Sequence, residues 1–446
     1  MRPCAPPSQP TRTPPPAASR GSTPIVTIAP FRGLRYDPSR LDPGAVIAPP
    51  YDVVGEDAVA ALHARSPYNV GHVESPRTEG GGDRYAHAAA LLDAWQREGV
   101  LIREERPAYY VYEQRTAIGA DRVVRRCCFA RMQLSPFAEG VVRPHEHTMS
   151  GPKADRLALL SATRVNISPL LVMYRDASGA AARAIEGATS GDPVYAAADD
   201  RGDEHLMWIV DDPASIEAIT AAAADSTATI ADGHHRYETA LNYLGERGDG
   251  DEGSRWVLTG LVAEDEPGLV VLPTHRLLPD AQPPADFAGR LGELYEIEAF
   301  DTIESLWAAV QAGASSPGTS GLLGLGGSGL HLLRAHSAAA IDARMPGEWS
   351  PASRALDVLI LNETILAPLL GLDAAAFTAG RVEFSEDVDE AWEWTQAAPG
   401  RLAFLVNSTR VDQVVSVADA GEVMPQKSTF FYPKLATGMV LNPLDE

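Results

Sequence analysis

The stretch Thr229-Ile230-Ala231-Asp232-Gly233-His234-His235-Arg236-Tyr237-Glu238-Thr239-Ala240-Leu241 constrains the chain more than any other. An apolar strand ends at Asp232-Gly233 and a helix begins at once. Tyr237, Ala240, Leu241 and Leu244 recur at i, i+3, i+4 and i+7 and form one inward stripe. Gly245 is the expected C-terminal stop of that helix. His234, His235 and Arg236 then occupy its first turn, where free backbone N–H groups and the positive end of the dipole favour an anion. Three potentially cationic groups there oppose the dipole by about 0.3–1 kcal/mol each. A bound phosphate is the economical explanation; the plain alternative is a helix capped by Asp232 with surface histidines.

A second polar segment runs Arg143-Pro144-His145-Glu146-His147-Thr148-Met149-Ser150-Gly151-Pro152-Lys153-Ala154-Asp155-Arg156. Strand-like Val141–Val142 leads into it, and a helix follows to about Thr163 with Pro152 in its first turn. Glu146, between His145 and His147, suits a general base or a ligand to a divalent cation. Lys153 and Arg156, a short helical step apart, could both face a phosphate. With His234 and His235 the segment supplies four imidazoles, which raises a zinc reading. Against it, adjacent side chains diverge and the helical His-Glu-x-x-His spacing is missing.

Lysine is scarce: of 37 Lys and Arg residues only Lys153, Lys427 and Lys434 are lysines. Where a chain otherwise writes Arg, a Lys marks a position that needs a compact ammonium. That draws Lys427-Ser428-Thr429 in as a phosphate contact, although the glycines of a phosphate loop do not precede it. The Gly-rich run Gly324–Gly329 is a hairpin turn, because strand-like Leu330–Leu333 follows where a phosphate loop needs a helix. Pro273-Thr274-His275-Arg276 reads as a polar strand end.

The 446 residues exceed one compact core, and the pattern divides them. Residues 1–24 hold eight prolines and read as a flexible tail. Residues 25–250 form a mixed α/β phosphate-binding domain and 255–446 a second mixed α/β domain. Pro107–Gln114 with Val123–Leu134, and Trp256–Val262 with Leu269–Leu272, are expected hairpins, and Ala355–Leu370 is expected to be helical. Hairpins mixed with strand–helix units indicate an α+β fold, not a regular doubly wound sheet. The formal charge of −23 argues against nucleic-acid or anionic-membrane partners. No apolar run of about 18 residues occurs. Cys4, Cys127 and Cys128 cannot build a disulfide framework, and no apolar run precedes Ile25. A cytoplasmic protein is the expectation.

Five motifs in order carry a resemblance: Asp52 in the Pro-Pro-Tyr-Asp turn, the His-Glu-His-Thr loop, Pro-Lys-Ala-Asp-Arg, Ala-Asp-Gly-His-His-Arg-Tyr, and Met-Pro-Gln-Lys-Ser-Thr. Together, from about Ile25 to Leu441, they resemble the prokaryotic domain-of-unknown-function family 1015. The Asp232–Arg236 turn is also similar to one in archaeal free-serine kinases, which share a fold with the partition-protein nuclease-like and sulfiredoxin families. That resemblance implies a partition-protein/sulfiredoxin-like core with inserted hairpins, and nucleotide phosphates held by Asp232, Gly233, His234, His235 and Arg236. It implies Glu146 as the base on a serine hydroxyl. The kinases are shorter, and the C-terminal half of this chain has no counterpart among them.

The expected activity is transfer of a phosphoryl group from ATP or ADP to the hydroxyl of a free amino acid. Phosphoryl transfer needs charge neutralisation and in-line positioning, and Arg236, His234, His235, Lys153, Arg156 and Lys427 suit that demand. Glu146 and Asp232 are left for base and magnesium duties, with His145 and His147 beside them. Two rivals stand next to this reading: a nucleotide-responsive switch protein without catalysis, and a hydrolase or lyase that uses a metal on the four histidines.

Overall fold

The computed structural model describes residues 25–78, 81–146, 151–248, 250–326 and 329–445, so the predicted Pro-rich tail lies outside the described residues. The longest ladder is the expected hairpin: Tyr109–Ile118 pairs antiparallel with Asp121–Gln133, from Tyr110 opposite Phe129 to Ile118 opposite Asp121. Its two-residue loop is possible because Gly119 takes φ 59°, a conformation that suits the right-handed twist of the flanking strands.

This hairpin lies inside a mixed nine-stranded sheet. The order is Val142–Arg143, Ala228–Asp232, Leu170–Tyr174, Trp256–Ala263, Asp121–Gln133, Tyr109–Ile118, Glu204–Val210 and Tyr195–Ala198, with Ile28–Ala29 also paired to Asp121–Gln133. Trp256–Ala263 runs parallel to Leu170–Tyr174 and antiparallel to Asp121–Gln133. Strand alternation sorts the side chains. Tyr109, Val111 and Cys128 bury against one face with the helices Ala180–Ala188, Pro213–Ala224 and His234–Arg247. Tyr110, Tyr112 and Cys127 bury on the other, in a core that continues into the second sheet. The two adjacent cysteines are therefore buried fillers on opposite faces, as expected.

The second sheet has six strands, all antiparallel: Tyr295–Ala299, Gly329–Ala335, Thr319–Leu325, Leu402–Val406, His275–Leu278 and Glu383–Ser385. The Gly-rich run joins its two central hairpin strands, Thr319–Leu325 and Gly329–Ala335, as expected. The protein is mixed α/β throughout.

Three expectations change. Trp256–Ala263 does not form a hairpin with the following apolar run; it fills the middle of the larger sheet, and Val270–Leu272 pairs with Phe430–Tyr432 instead. Ala355–Leu370 is broken into Asp357–Leu361, a π turn Asn362–Leu366 and Ala367–Leu370. Pro368 lacks an N–H and its ring would crowd the carbonyl four residues back, which explains the widened turn. The helix expected to stop at Gly245 runs to Arg247 and ends at Gly248, φ 75°. An interior glycine costs only about 1 kcal/mol, and the positive φ is what ends the helix.

The C-terminal end returns to the larger sheet. Asn166 Oδ1 accepts from the Leu258 N–H at 3.0 Å and from Asn442 Nδ2 at 2.9 Å, with Asn166 and Asn442 both buried. No helix among the described residues is long and apolar enough to cross a membrane. Asn166→Ala strands the buried Leu258 N–H without its acceptor. It should lower stability by about 1–3 kcal/mol, read as a lower urea midpoint at unchanged m-value.

Candidate active site

The strand Ala228–Asp232 slips register between Ile230 and Asp232 just before it ends. Such a bulge re-aims the following side chain. Gly233 comes next at φ 94°, where an added Cβ would lie 2.8 Å from Leu170 Cδ2 and 3.1 Å from the Arg236 guanidinium. Only glycine fits this turn. It presents the Asp232 carboxylate to two cations: Lys434 Nζ donates to Oδ1 at 2.5 Å, and Arg236 Nη2 to Oδ2 at 2.6 Å. Arg236 also donates to the Pro169 carbonyl and lies 3.7 Å from Asp52 Oδ2. Burial pushes Asp232 up, but Lys434 and Arg236 outweigh it and hold the carboxyl below the ordinary range. Asp232 is thus an ion-pair anchor and not a helix cap; Gly233 stands at the cap position.

His145 is 1% exposed and lies beneath this turn. Its Nδ1 donates to the Ile230 carbonyl at 2.5 Å, so its Nε2 accepts from Thr429 Oγ1, 2.8 Å away. Its backbone N–H donates to His234 Nε2 at 3.3 Å, and the two rings meet edge to face with centroids 4.6 Å apart. Burial lowers His145 to about 4 and lowers His234 as well. Both rings are neutral. The expectation of several cations crowding the helix start is corrected at His234, which burial holds neutral, and the charge of Arg236 is met by Asp232. The zinc reading loses His145, because both of its ring nitrogens are already engaged, and His147 lies outside the described residues. Among the described residues no three His, Cys, Asp or Glu side chains gather as a metal set. Both Asp232 oxygens accept from cations, so a magnesium ion there would have to displace one of them.

Glu146 is placed by the backbone. Its neighbour's carbonyl, His145 O, accepts from the Met424 N–H at 2.8 Å, and Glu146 bridges in parallel to Met424. Burial pushes its carboxyl up to about 7, against the pull of Lys427 and Lys434. Lys427 adopts φ 57°, a left-handed conformation that costs a non-glycine residue and is found where a site requires it. Its side chain and that of Lys434 line a cavity of about 840 Å³ between the two sheets, with Asp52, Gln114, Glu383 and Glu386. Lys434 also sits 4.3 Å over the Phe430 ring.

Other predicted residues lie elsewhere. Lys153 pairs with Glu238 across the contact between helices Gly151–Thr163 and His234–Arg247. Arg156 pairs with Asp155, donates to the Glu74 carbonyl at 2.8 Å and stacks 4.3 Å from the Tyr51 ring centre. Neither lines the cavity with Lys427: Glu238 holds Lys153 at the helix contact, and Arg156 lines a smaller cavity with Tyr51, Glu74 and Arg236. Ser428 is buried, its Oγ donating to the Pro425 carbonyl at 2.6 Å, and Thr429 serves His145. Of Lys-Ser-Thr only Lys427 reaches the cavity. His235 lies in the helix's first turn, half-buried.

Two groups escaped sequence reasoning. Gln114 Nε2 donates to the Lys434 carbonyl at 2.9 Å, and its Oε1 accepts from the buried Arg125 Nη2 at 2.6 Å, so a polar chain inside the long hairpin holds Lys434 in place. Arg276, read as a strand end, is fully buried. It donates to the Thr274 carbonyl, while its Nε and Nη2 have no partner among the described residues. Burial lowers it to about 10 and the Glu146 charge pulls the other way. No periodicity in the sequence signals a buried arginine at that position.

With this geometry in place, the chain can be compared with known proteins. It matches the family described as "Protein of unknown function (DUF1015)" over residues 28–359, and it belongs to that family. No protein of curated function matches it in sequence. Among solved structures it is similar to a free serine kinase mutant in complex with ADP, at 11% identity over 67% of this chain and 89% of that one, TM-score 0.34. A free serine kinase mutant in complex with AMP matches at 11% identity over 73% and 95%, TM-score 0.35. SbnI with a C-terminal truncation, from Staphylococcus aureus, matches at 11% over 68% and 78%, TM-score 0.32.

The buried imidazoles make stability depend on pH with a definite sign. His145 titrates near 6.5 when unfolded and near 4 when folded, so the unfolded chain binds more protons between those values. Its contribution is intact above about 6.5 and is lost as pH falls toward 4. Glu146, raised when folded, acts in the opposite direction, so the clean measurement is a difference. Between pH 7 and pH 5 the wild type should lose about 2 kcal/mol more than His145→Gln in chemical denaturation, at about 1.36 kcal/mol per pKa unit.

Proposed function

We propose that this chain is a nucleotide-dependent kinase that phosphorylates the hydroxyl of a free amino acid of the serine kind, with ATP or ADP as donor. One observation carries the reading: a single cavity is lined by both lysines and carboxylates, and a buried carboxyl of raised pKa, Glu146, feels the charge of the same two lysines. Lys427 and Lys434 are among its cations, and Asp52, Glu383 and Glu386 among its acids. The lysines suit donor phosphates, and the acids suit the acceptor's ammonium. An acceptor that carries both an ammonium and a hydroxyl fits such a mixed lining.

Glu146 is the base. As a carboxylate it takes the hydroxyl proton while the oxygen attacks the terminal phosphorus; the P–O bond to the nucleotide breaks and the nucleotide leaves with one phosphate fewer. A carboxyl that titrates near 7 is poised for this at neutral pH. A magnesium ion would supply charge neutralisation on the donor phosphates, with Asp52 the cavity carboxylate that suits it, since Asp232 is held by Lys434 and Arg236. The hydrolase reading is set aside because His145 has no free ring nitrogen.

Incubation with ATP or ADP, magnesium and an amino-acid panel, followed by 31P NMR, tests the proposal. A phospho-amino acid is expected, with serine the first candidate. Glu146→Gln should cut turnover by about 10²–10⁴-fold and leave nucleotide affinity within a few fold. For the wild type, kcat/KM should climb with pH and level off above about 7, since the base works only when deprotonated. Product no greater than in Glu146→Gln would overturn the kinase; nucleotide binding without product would leave the switch reading.

A further inference from the structure

The smaller unit holds a second cavity that the proposed chemistry does not use. It measures about 1000 Å³ and lies between the π turn Asn362–Leu366, the helix Ala374–Thr378 and the segment Gly421–Gln426. Trp349, Leu359 and Phe377 give it an apolar body. Among the described residues every charged side chain in its wall is acidic, and no Lys, Arg or His lines it. Asp373 is committed to the N–H groups of Ala375 and Ala376 as a helix cap, and Glu422 to Ser350 and Ser353. Glu363 is not committed. It is half-buried with Glu348 as its nearest charge influence, and burial and that like charge both push its carboxyl up.

A charged lining that is all acidic, against aromatic and aliphatic walls, asks for one kind of occupant. We infer that this cleft binds a small organic amine, its apolar body against Trp349 and Phe377 and its ammonium donating to Glu363. The π turn is part of the device, since such turns leave the helix's regular bonding open and recur at functional sites. An ammonium would sit between the like charges of Glu348 and Glu363, whereas a neutral ligand would leave that repulsion in place. The wall is also the chain that leads to the first site: Met424, whose N–H bonds His145 O, stands three residues before Lys427. The inference is independent of the kinase reading.

Isothermal titration of the full chain with 2-phenylethylamine and tryptamine, against 2-phenylethanol as the neutral counterpart, tests it. The amines should bind saturably and at least about tenfold tighter than the alcohol, a difference of about 1.4 kcal/mol. Glu363→Gln, which breaks no hydrogen bond or ion pair among the described residues, should remove that preference while the melting temperature stays unchanged. Phe377→Ser should weaken amine and alcohol alike. Three results would overturn the inference: no saturable amine binding, equal affinity for amine and alcohol, or an amine preference that survives in Glu363→Gln.

Discussion

The ion-paired carboxylate of Asp232 is the junction on which the site depends. Lys434 reaches it from 202 positions further along the chain, and Arg236 from one helical turn away. A carboxylate in so enclosed a place is costly unless its oxygens are met by opposite charge, and removing either cation would leave the rest stranded. The pair therefore ties the end of the nine-stranded sheet, the first turn of the helix behind it and the returning C-terminal strand into one arrangement. Gly233 makes this possible, because any side chain there would strike Leu170 and the Arg236 guanidinium.

Around that junction the electrostatics are economical in a way that residue types alone conceal. His145 and His234 look like cations on paper but are neutral hydrogen-bonding wedges, each lowered by burial. The positive charge that faces the cavity comes from Lys427 and Lys434, on the strap that follows the smaller sheet's last strand, and from Arg65 and Arg201. Glu146 is lifted by burial toward neutrality, and a fully buried arginine from the smaller sheet stands within its electrical reach. The two sheets meet over a continuous apolar core, so the cavity between them has walls drawn from both.

Much of this was legible from residue order. The strand–turn–helix at Ala228–Arg247, the long hairpin, the opposite-facing cysteines and the Gly-rich turn follow from local periodicity and glycine chemistry. Scarcity of lysine pointed to Lys427, which lines the cavity; Lys434, equally rare, lines it too but was not drawn in as a site residue. Lys153 shows the limit of that signal: equally rare, it is taken by Glu238 on a neighbouring helix. The path of Trp256–Ala263 into the larger sheet was hidden because an apolar run does not name its partner, and the nearest run in sequence went to Phe430–Tyr432 instead.

Residue order by itself determined the turn at Asp232-Gly233, the helix that leaves it and the polar types gathered there, since those depend on contacts within a few residues. Protonation, exposure and partnership were decided only by the tertiary structure. His145 became neutral because distant segments bury it away from water, which outweighs the pull of the Ile230 carbonyl toward the charged form. Arg276 became buried because the smaller sheet closes over it. These are properties of the field and solvent access that distant segments create together, and no single stretch of chain contains them.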